Sequence, residues 1–192
     1  MYEDFQTAFA DIKTAESLVF SDRLDVFTKK IFEVAEHNRD SSATWTKGIN
    51  KFSDMTDKEF IDYFNLHVTD DQKCSATVGS PDREPLKDIP SDFDWRDYGV
   101  VSPVKSQGHC GSCWTFSTVG ALESHYYIST ATRVNFSEQV LVDCAREEYD
   151  CYGCKGGLPS YAFNFIRDHG LATNETYPYR AEDGKILYHL FI

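Results

Sequence analysis

Two cysteines, a carboxamide and two glycines crowd into one short stretch, Gln107-Gly108-His109-Cys110-Gly111-Ser112-Cys113. Together they could attack a carbonyl group. A sulfur nucleophile must be ionised, and the negative oxygen it creates must be met by N–H donors. Trp114-Thr115-Phe116-Ser117 follows, after which Val119, Leu122, Tyr126 and Tyr127 recur at helical spacing. Ser112 is placed to cap that helix, which puts Cys113 in its first turn. There the positive end of the helix dipole favours thiolate. The Gln107 amide and the Cys113 backbone N–H are the candidate oxyanion donors. Gly108 and Gly111 let the backbone approach a substrate closely.

Three other chemistries use the same residues. Cys110 and Cys113 make a C-x-x-C, the spacing of a redox pair, and Cys151-Tyr152-Gly153-Cys154 makes a second. The four could bind zinc, although the spacer between the pairs exceeds the usual zinc pattern. Buried, inert cysteines are the third alternative.

Cys110-Gly111-Ser112-Cys113-Trp114 resembles the active-site segment of the papain-like cysteine peptidases, the cathepsin clan. The resemblance implies that Cys113 is the nucleophile, that Gln107 stabilises the oxyanion, and that Cys110 forms a structural disulfide with Cys154. It implies no cofactor and no metal. Gly111 and Trp114 would lie at the substrate. Further on, the Gly156-Gly157 backbone would bond an extended peptide as an added strand. Leu158 and Pro159 would line an apolar pocket for the side chain preceding the scissile residue. Without the resemblance, these two serve equally well as packing at a helix start.

The elements that must hold this site can be read around it. Ser137 is placed to cap a helix with Glu138 in its first turn and Val140, Leu141 and Cys144 on its apolar side. A further helix is expected from about 160 to 169, with Gly170 after it. Ile89-Pro90 resembles the family's mature N-terminus, and Tyr177-Pro178-Tyr179 also resembles the family. A cysteine expected shortly afterwards, as partner of Cys144, is replaced by Ile186, and no family pattern is recognisable beyond it.

The first third of the chain reads as a separate helical unit. Phe5, Phe9 and Ile12 share one helical face over residues 2–12, and Leu24, Phe27, Ile31 and Val34 form a stripe over 21–38. Arg23, Phe27 and Asn38 resemble fixed positions of the family's inhibitory propeptide. Val19 stands where an acid is expected, so a helix salt bridge to Arg23 is lost, and Lys30 replaces an Asn. Residues 48–54 alternate apolar and polar side chains, as a short strand does. Their Gly48, Asn50, Phe52 and Asp54 match the propeptide's Gly-x-Asn-x-Phe-x-Asp motif. Thr56 and Glu59 spell a capping box, with Met55 and Phe60 as a hydrophobic staple, for a helix ending near Leu66. Residues 67–88, with Pro81 and Pro85, read as an extended linker containing Cys74. In the family this segment runs along the cleft in the reverse of substrate direction.

The expected fold class is α+β, as a helical propeptide domain (1–66), a cleft-crossing linker (67–88) and the mostly helical left half of a papain-like domain (89–192). The β-rich right domain is expected to be largely absent. The family's catalytic His lies roughly 130–150 residues beyond the nucleophile, and 79 residues follow Cys113. None of His37, His67, His109, His125, His169 and His189 has a matching context, and the orienting Asn is missing too. The expectation is a cysteine endopeptidase precursor whose chain, as it stands, does not turn over substrate. The alternative is a propeptide-type inhibitor of intact cathepsin-like proteases. The precursor's partners would be peptide or protein substrates and its own propeptide.

Composition narrows the rest. The net charge of −12 argues against nucleic acid and anionic membranes as partners. Acidity is spread along the chain, at −7 over residues 1–88 and −5 over 89–192. Six cysteines and two Asn-x-Ser/Thr sites, Asn135 and Asn174, indicate an oxidising, glycosylating compartment. The acidic Met1-Tyr2-Glu3-Asp4 start has no apolar core of the kind expected in a signal peptide. A chain that lacks its leader reconciles the two, and the resemblance implies a lysosomal, vacuolar or secreted protein.

Overall fold

Phe27 sits where the 21–38 stripe should bury it, against Tyr2 and Phe5, with ring centroids 5.0 and 4.5 Å away. The computed structural model describes residues 1–8, 20–64 and 89–185. It divides into two compact units, Met1–Phe64 and Asn65–Ile192. Phe9, Ile12, Val19, Leu66, the 67–88 linker with Cys74, and the tail from Ile186 lie outside the described residues.

The first unit contains α1 (Tyr2–Ala8), α2 (Phe20–Arg39) and α3 (Asp57–Tyr63). Tyr2, Phe5 and Phe27 form its core, with Ile31 packed against them. Thr56 and Glu59 make both bonds of the capping box: the Glu59 N–H reaches Thr56 Oγ1 at 3.2 Å, and the Thr56 N–H reaches Glu59 Oε2 at 2.9 Å. Met55 is buried just before the helix.

Residues 48–54 are not the strand that their alternation predicts. Side chains outcompete ladder pairing here. The Asn50 carboxamide oxygen takes the Phe52 N–H at 2.9 Å, Ser53 Oγ takes the Asn50 N–H at 2.9 Å, and residues 51–54 close into turns. The Asn38 carboxamide clamps the approach to this turn at two points, Lys47 O and Lys47 N, 2.9 and 2.8 Å away. Arg23, expected to have lost its ion pair, has another: its guanidinium reaches Glu59 at 2.8 Å and the Asp54 carbonyl at 3.3 Å. Tyr2 Oη donates to the Asp54 carboxylate at 3.3 Å. Phe52 packs edge-on against Phe60, Tyr63 and Phe64. Gly48 is exposed, with open space where a Cβ would point.

The second unit contains α4 (Cys113–Thr130), α5 (Glu138–Cys144) and α6 (Pro159–His169), with short 3-10 turns at Glu147–Tyr149 and Gly153–Lys155. Trp114, Val119, Val140, Leu141, Ala162, Phe165 and Tyr177 share one core. An antiparallel bridge, Phe136 to Thr173, brings the approach to α5 against the chain after α6. No strand is present among the described residues, and no described helix is long and apolar enough to cross a membrane. Ser137 caps α5, accepting the Val140 N–H, and Gly170 ends α6 with φ +78°.

The stripe predicted on α4 is only partly buried. Val119 is enclosed, but Leu122 and Tyr127 are half-buried and Tyr126 is exposed; Trp114, Thr115, Thr118 and Glu123 are buried instead. Glu123 can turn inward because Lys105 meets it at 2.9 Å and also meets Glu138 at 2.8 Å. Ser102 Oγ and the Phe136 N–H complete its shell at 2.5 and 2.9 Å. A buried carboxylate is tolerated when it is paired and hydrogen-bonded in this way.

All of α5 is buried, including Gln139 and Asp143. Asp143 is a hub for the chain after α6. One carboxylate oxygen accepts from Gln139 Nε2 and the Gly184 N–H at 2.9 and 2.7 Å, the other from Tyr177 Oη and the Arg180 guanidinium at 2.7 and 2.8 Å.

Candidate active site

The turn from 107 to 112 is bent by Gly108, whose φ of +59° suits glycine, and it delivers Cys113 as the first residue of α4. Cys113 is an exposed thiol. Its N–H belongs to the first turn, where no helical carbonyl lies within reach. Ser112 occupies the cap position, but its side chain makes no cap bond. Its hydroxyl is drawn 2.5 Å from Tyr179 Oη, a partner 67 residues away.

Gln107 is half-buried, and its carboxamide Nε2 donates to the Cys110 carbonyl at 2.8 Å. One amide N–H is thereby anchored inside the turn; a carboxamide carries a second. Cys110 is joined to Cys154 by a disulfide, and the Gly111 N–H donates to the Cys154 carbonyl at 2.9 Å. The disulfide removes the C-x-x-C redox and four-cysteine zinc alternatives, since Cys110 and Cys154 are bonded to each other.

The other candidate substrate residues divide. Trp114 is only 2% exposed, and its indole N–H donates to the Gly153 carbonyl at 3.1 Å. Its side chain therefore supports the turn from below and offers no face to a ligand. Gly111 is buried with it. Gly157 lies directly over that indole: a Cβ there would come within 2.8 Å of the ring and 3.2 Å of Cys151 Sγ. Gly156 has φ +117° and open space around it. Leu158 and Pro159 are half-buried and begin α6, at its cap and first position. Gly156 through Pro159 are thus all half-buried, in contrast to Gly111 and Trp114.

Cys151 is a buried thiol, and burial pushes it up to about 11. It is no nucleophile at neutral pH. Cys144 is likewise a buried thiol. Among the described histidines, His37 meets Trp45 O at 3.1 Å and His169 meets Tyr149 Oη at 2.9 Å. His109 is exposed in the turn, and His125 lies on α4 roughly 18 Å along the helix from Cys113. No cluster able to hold a metal ion occurs among the described residues.

Sequence reasoning missed Tyr179 here. Tyr177-Pro178-Tyr179 stood out only as a resemblance, and nothing local to it points at residue 107.

Comparison with known proteins adds an independent measure. Residues 89–189 match the papain family cysteine protease pattern, and residues 2–60 match the cathepsin propeptide inhibitor domain (I29). The chain is 44% identical to an aleurain-like thiol protease of Arabidopsis thaliana over 163 residues, covering 84% of this chain and 44% of that one. It is 43% identical to pro-cathepsin H of Mus musculus over 173 residues, covering 89% and 50%. Procathepsin L2 from the Tenebrio molitor larval midgut superposes with a TM-score of 0.79 at 35% identity, covering 97% of this chain and 62% of that one. A recombinant stem bromelain precursor superposes at 0.72 and 29% identity, covering 100% and 62%. The chain spans about half the length of the curated relatives it matches.

Proposed function

Because this chain belongs to the papain family of cysteine proteases and carries the cathepsin propeptide inhibitor domain, we propose that it is a cysteine endopeptidase precursor acting through Cys113. The observation that carries the reading is an exposed thiol at the mouth of α4, six residues after a carboxamide already anchored in the same turn.

In this reading the Cys113 thiolate adds to a peptide carbonyl carbon and forms the S–C bond. The carbonyl oxygen takes the negative charge and is met by the Cys113 N–H and the second Gln107 amide N–H. Collapse expels the amine, which must take up a proton, and water then hydrolyses the acyl-enzyme. Gly156 and Gly157 align the substrate backbone, and Leu158 and Pro159 receive an apolar side chain.

Residues 1–66 are the inhibitory segment, and 89–192 supply the nucleophile half. The family's catalytic imidazole, which would ionise the thiol and protonate the amine, has no matching position among these 192 residues. The 192-residue chain alone then gives no meaningful turnover, because it lacks both the ion-pair partner and the general acid. The Cys110–Cys154 disulfide suits an oxidising route, towards a lysosome, a vacuole or the exterior.

The test is labelling and turnover together. A peptidyl chloroketone should modify Cys113 in the wild type and nothing in Cys113→Ser. A reporter peptide should survive incubation with acid-treated chain. Cleavage that disappears in Cys113→Ser would overturn the inactivity, and labelling at another cysteine would overturn the nucleophile.

One observation favours a second reading. Met1–Phe64 is a compact unit with its own core and its own match to an inhibitor domain, so the segment could act as an inhibitor in trans. Titrating an intact cathepsin-type enzyme with residues 1–88 separates the readings.

A further inference from the structure

Both ends of the nucleophile turn meet at one phenol. Tyr179 Oη lies 2.7 Å from the Gln107 carbonyl oxygen and 2.5 Å from Ser112 Oγ. A carbonyl can only accept, so the phenolic proton goes to Gln107. The Ser112 hydroxyl then donates into Tyr179 Oη, which is the better of its two acceptors, since the Cys110 carbonyl is 3.5 Å away. The proton order is therefore Ser112 to Tyr179 to Gln107.

The middle of the turn has other anchors: the Cys110–Cys154 disulfide and the Gly111 N–H on the Cys154 carbonyl. Those hold residues 110 and 111. The spacing that matters for an oxyanion is between the ends, Gln107 on one side and Ser112–Cys113 on the other. Tyr179 bridges these two ends.

Tyr179 is itself held rigidly. Its N–H donates to the Asn174 carboxamide oxygen at 3.2 Å, and the next N–H, of Arg180, goes to Gln139 Oε1 at 2.8 Å. The Arg180 guanidinium and the Tyr177 hydroxyl both converge on the buried Asp143. The Phe116 ring stands edge-on to Tyr179 with centroids 4.9 Å apart. The turn lies close on this segment: a Cβ on Gly108 would sit 3.1 Å from Ala181 Cβ. Burial raises the phenol above its ordinary value, which keeps its proton in place through neutral pH.

We propose that Tyr179 is a positioning residue for the reaction, holding the Gln107 carboxamide and the Cys113 N–H at the separation needed to bind one oxyanion. This rests on the oxyanion role given to Gln107 above. Tyr179 touches no substrate; it acts through the two residues it bridges.

The experiment compares two reagents on the full 192-residue chain. A peptidyl chloroketone presents a carbonyl oxygen to the donors, whereas iodoacetamide alkylates a thiol without that requirement. Both form a thioether on Cys113 and release halide. Tyr179→Phe keeps the ring against Phe116 and removes only the bridge. It should lower the ratio of chloroketone to iodoacetamide rates about tenfold, a fraction of what an oxyanion donor is worth. Gln107→Ala should lower the ratio at least as far, and the double variant should fall no further, since Tyr179 works through Gln107. A loss of fold would also abolish the ratio, so rates are compared only for variants whose circular dichroism and tryptophan emission match the wild type.

A wild-type ratio in Tyr179→Phe, with the ratio lost in Gln107→Ala, overturns the positioning role and leaves the oxyanion reading intact. A wild-type ratio in Gln107→Ala overturns both. If Tyr179→Phe does not fold, Ser112→Ala, which removes the other half of the bridge, must lower the ratio by itself; an unchanged ratio there overturns the proposal.

Discussion

Arg23 on α2 reaches Glu59 on α3 across 36 residues of chain, with 2.8 Å between guanidinium and carboxylate and both side chains largely buried. The same Glu59 closes the capping box with Thr56, so one carboxylate both starts α3 and ties it to α2. Removing the arginine leaves that carboxylate buried without its cation. Arg23→Met should destabilise the first unit by about 3 kcal/mol. Urea unfolding followed by hydrogen exchange of the α2 and α3 amides measures it. An unchanged midpoint would mean that the pair is ornamental.

The disulfide should be the largest single tether of the second unit. Cys110 and Cys154 close a loop across 44 positions of sequence. In the chain-entropy account such a closure is worth about 4 kcal/mol. Reduction, or Cys154→Ser, should lower the thermal midpoint of residues 89–185 while leaving residues 1–64 unaffected. Calorimetry with and without reductant reads this directly.

Gly157→Ala should be costly although Gly157 lies outside any helix and its φ is not in the left-handed region. The added methyl would press on the Trp114 indole at 2.8 Å and on Cys151 Sγ. Overpacking of this kind costs roughly 1–3 kcal/mol. Because Trp114 follows the nucleophile, tryptophan emission and the Cys113 alkylation rate should change together. A stable variant with wild-type emission would show that the ring yields freely.

Alkali should weaken the second unit through Cys151. Burial raises this thiol from an ordinary 9.0 to about 11 in the folded chain. Between those values the unfolded thiol loses its proton while the folded one keeps it, so the unfolded state gains and stability falls as pH rises. Below about 9 the contribution is complete. Cys151→Ala should therefore flatten the loss of stability between pH 9 and 11, as read by denaturant midpoints across that window. A parallel decline in both proteins would assign the loss to other groups.

What the sequence made legible was local. Thr56 with Glu59, Ser137, and Gly170 each mark a helix boundary by side chains a few residues away, and each boundary is where those residues place it. Residues 48–54 misled because alternation says nothing of Asn50 and Ser53, whose side chains claim backbone N–H groups first. Ser112 misled for the opposite reason. A serine before a helix normally caps it, but here a hydroxyl 67 residues away binds it more closely. Glu123 broke the α4 stripe because its cation comes from Lys105 and its other partners from Ser102 and Phe136. In the site, the identities of Cys113 and Gln107 stood out from spacing, whereas the phenol that bridges their turn did not. Pairings between side chains far apart in sequence leave no periodicity to read.

The bridge between Tyr179 and Gln107 spans 72 residues, all of them on the later side. A ribosome adding about 5–20 residues per second needs roughly 4–14 seconds to cover that distance. During this interval the thiol has already emerged, but the clasp that would square it to its carboxamide has not. The reactive end of α4 is therefore among the last pieces of this half to set, and a nascent chain carries a sulfur that is present yet still unaimed.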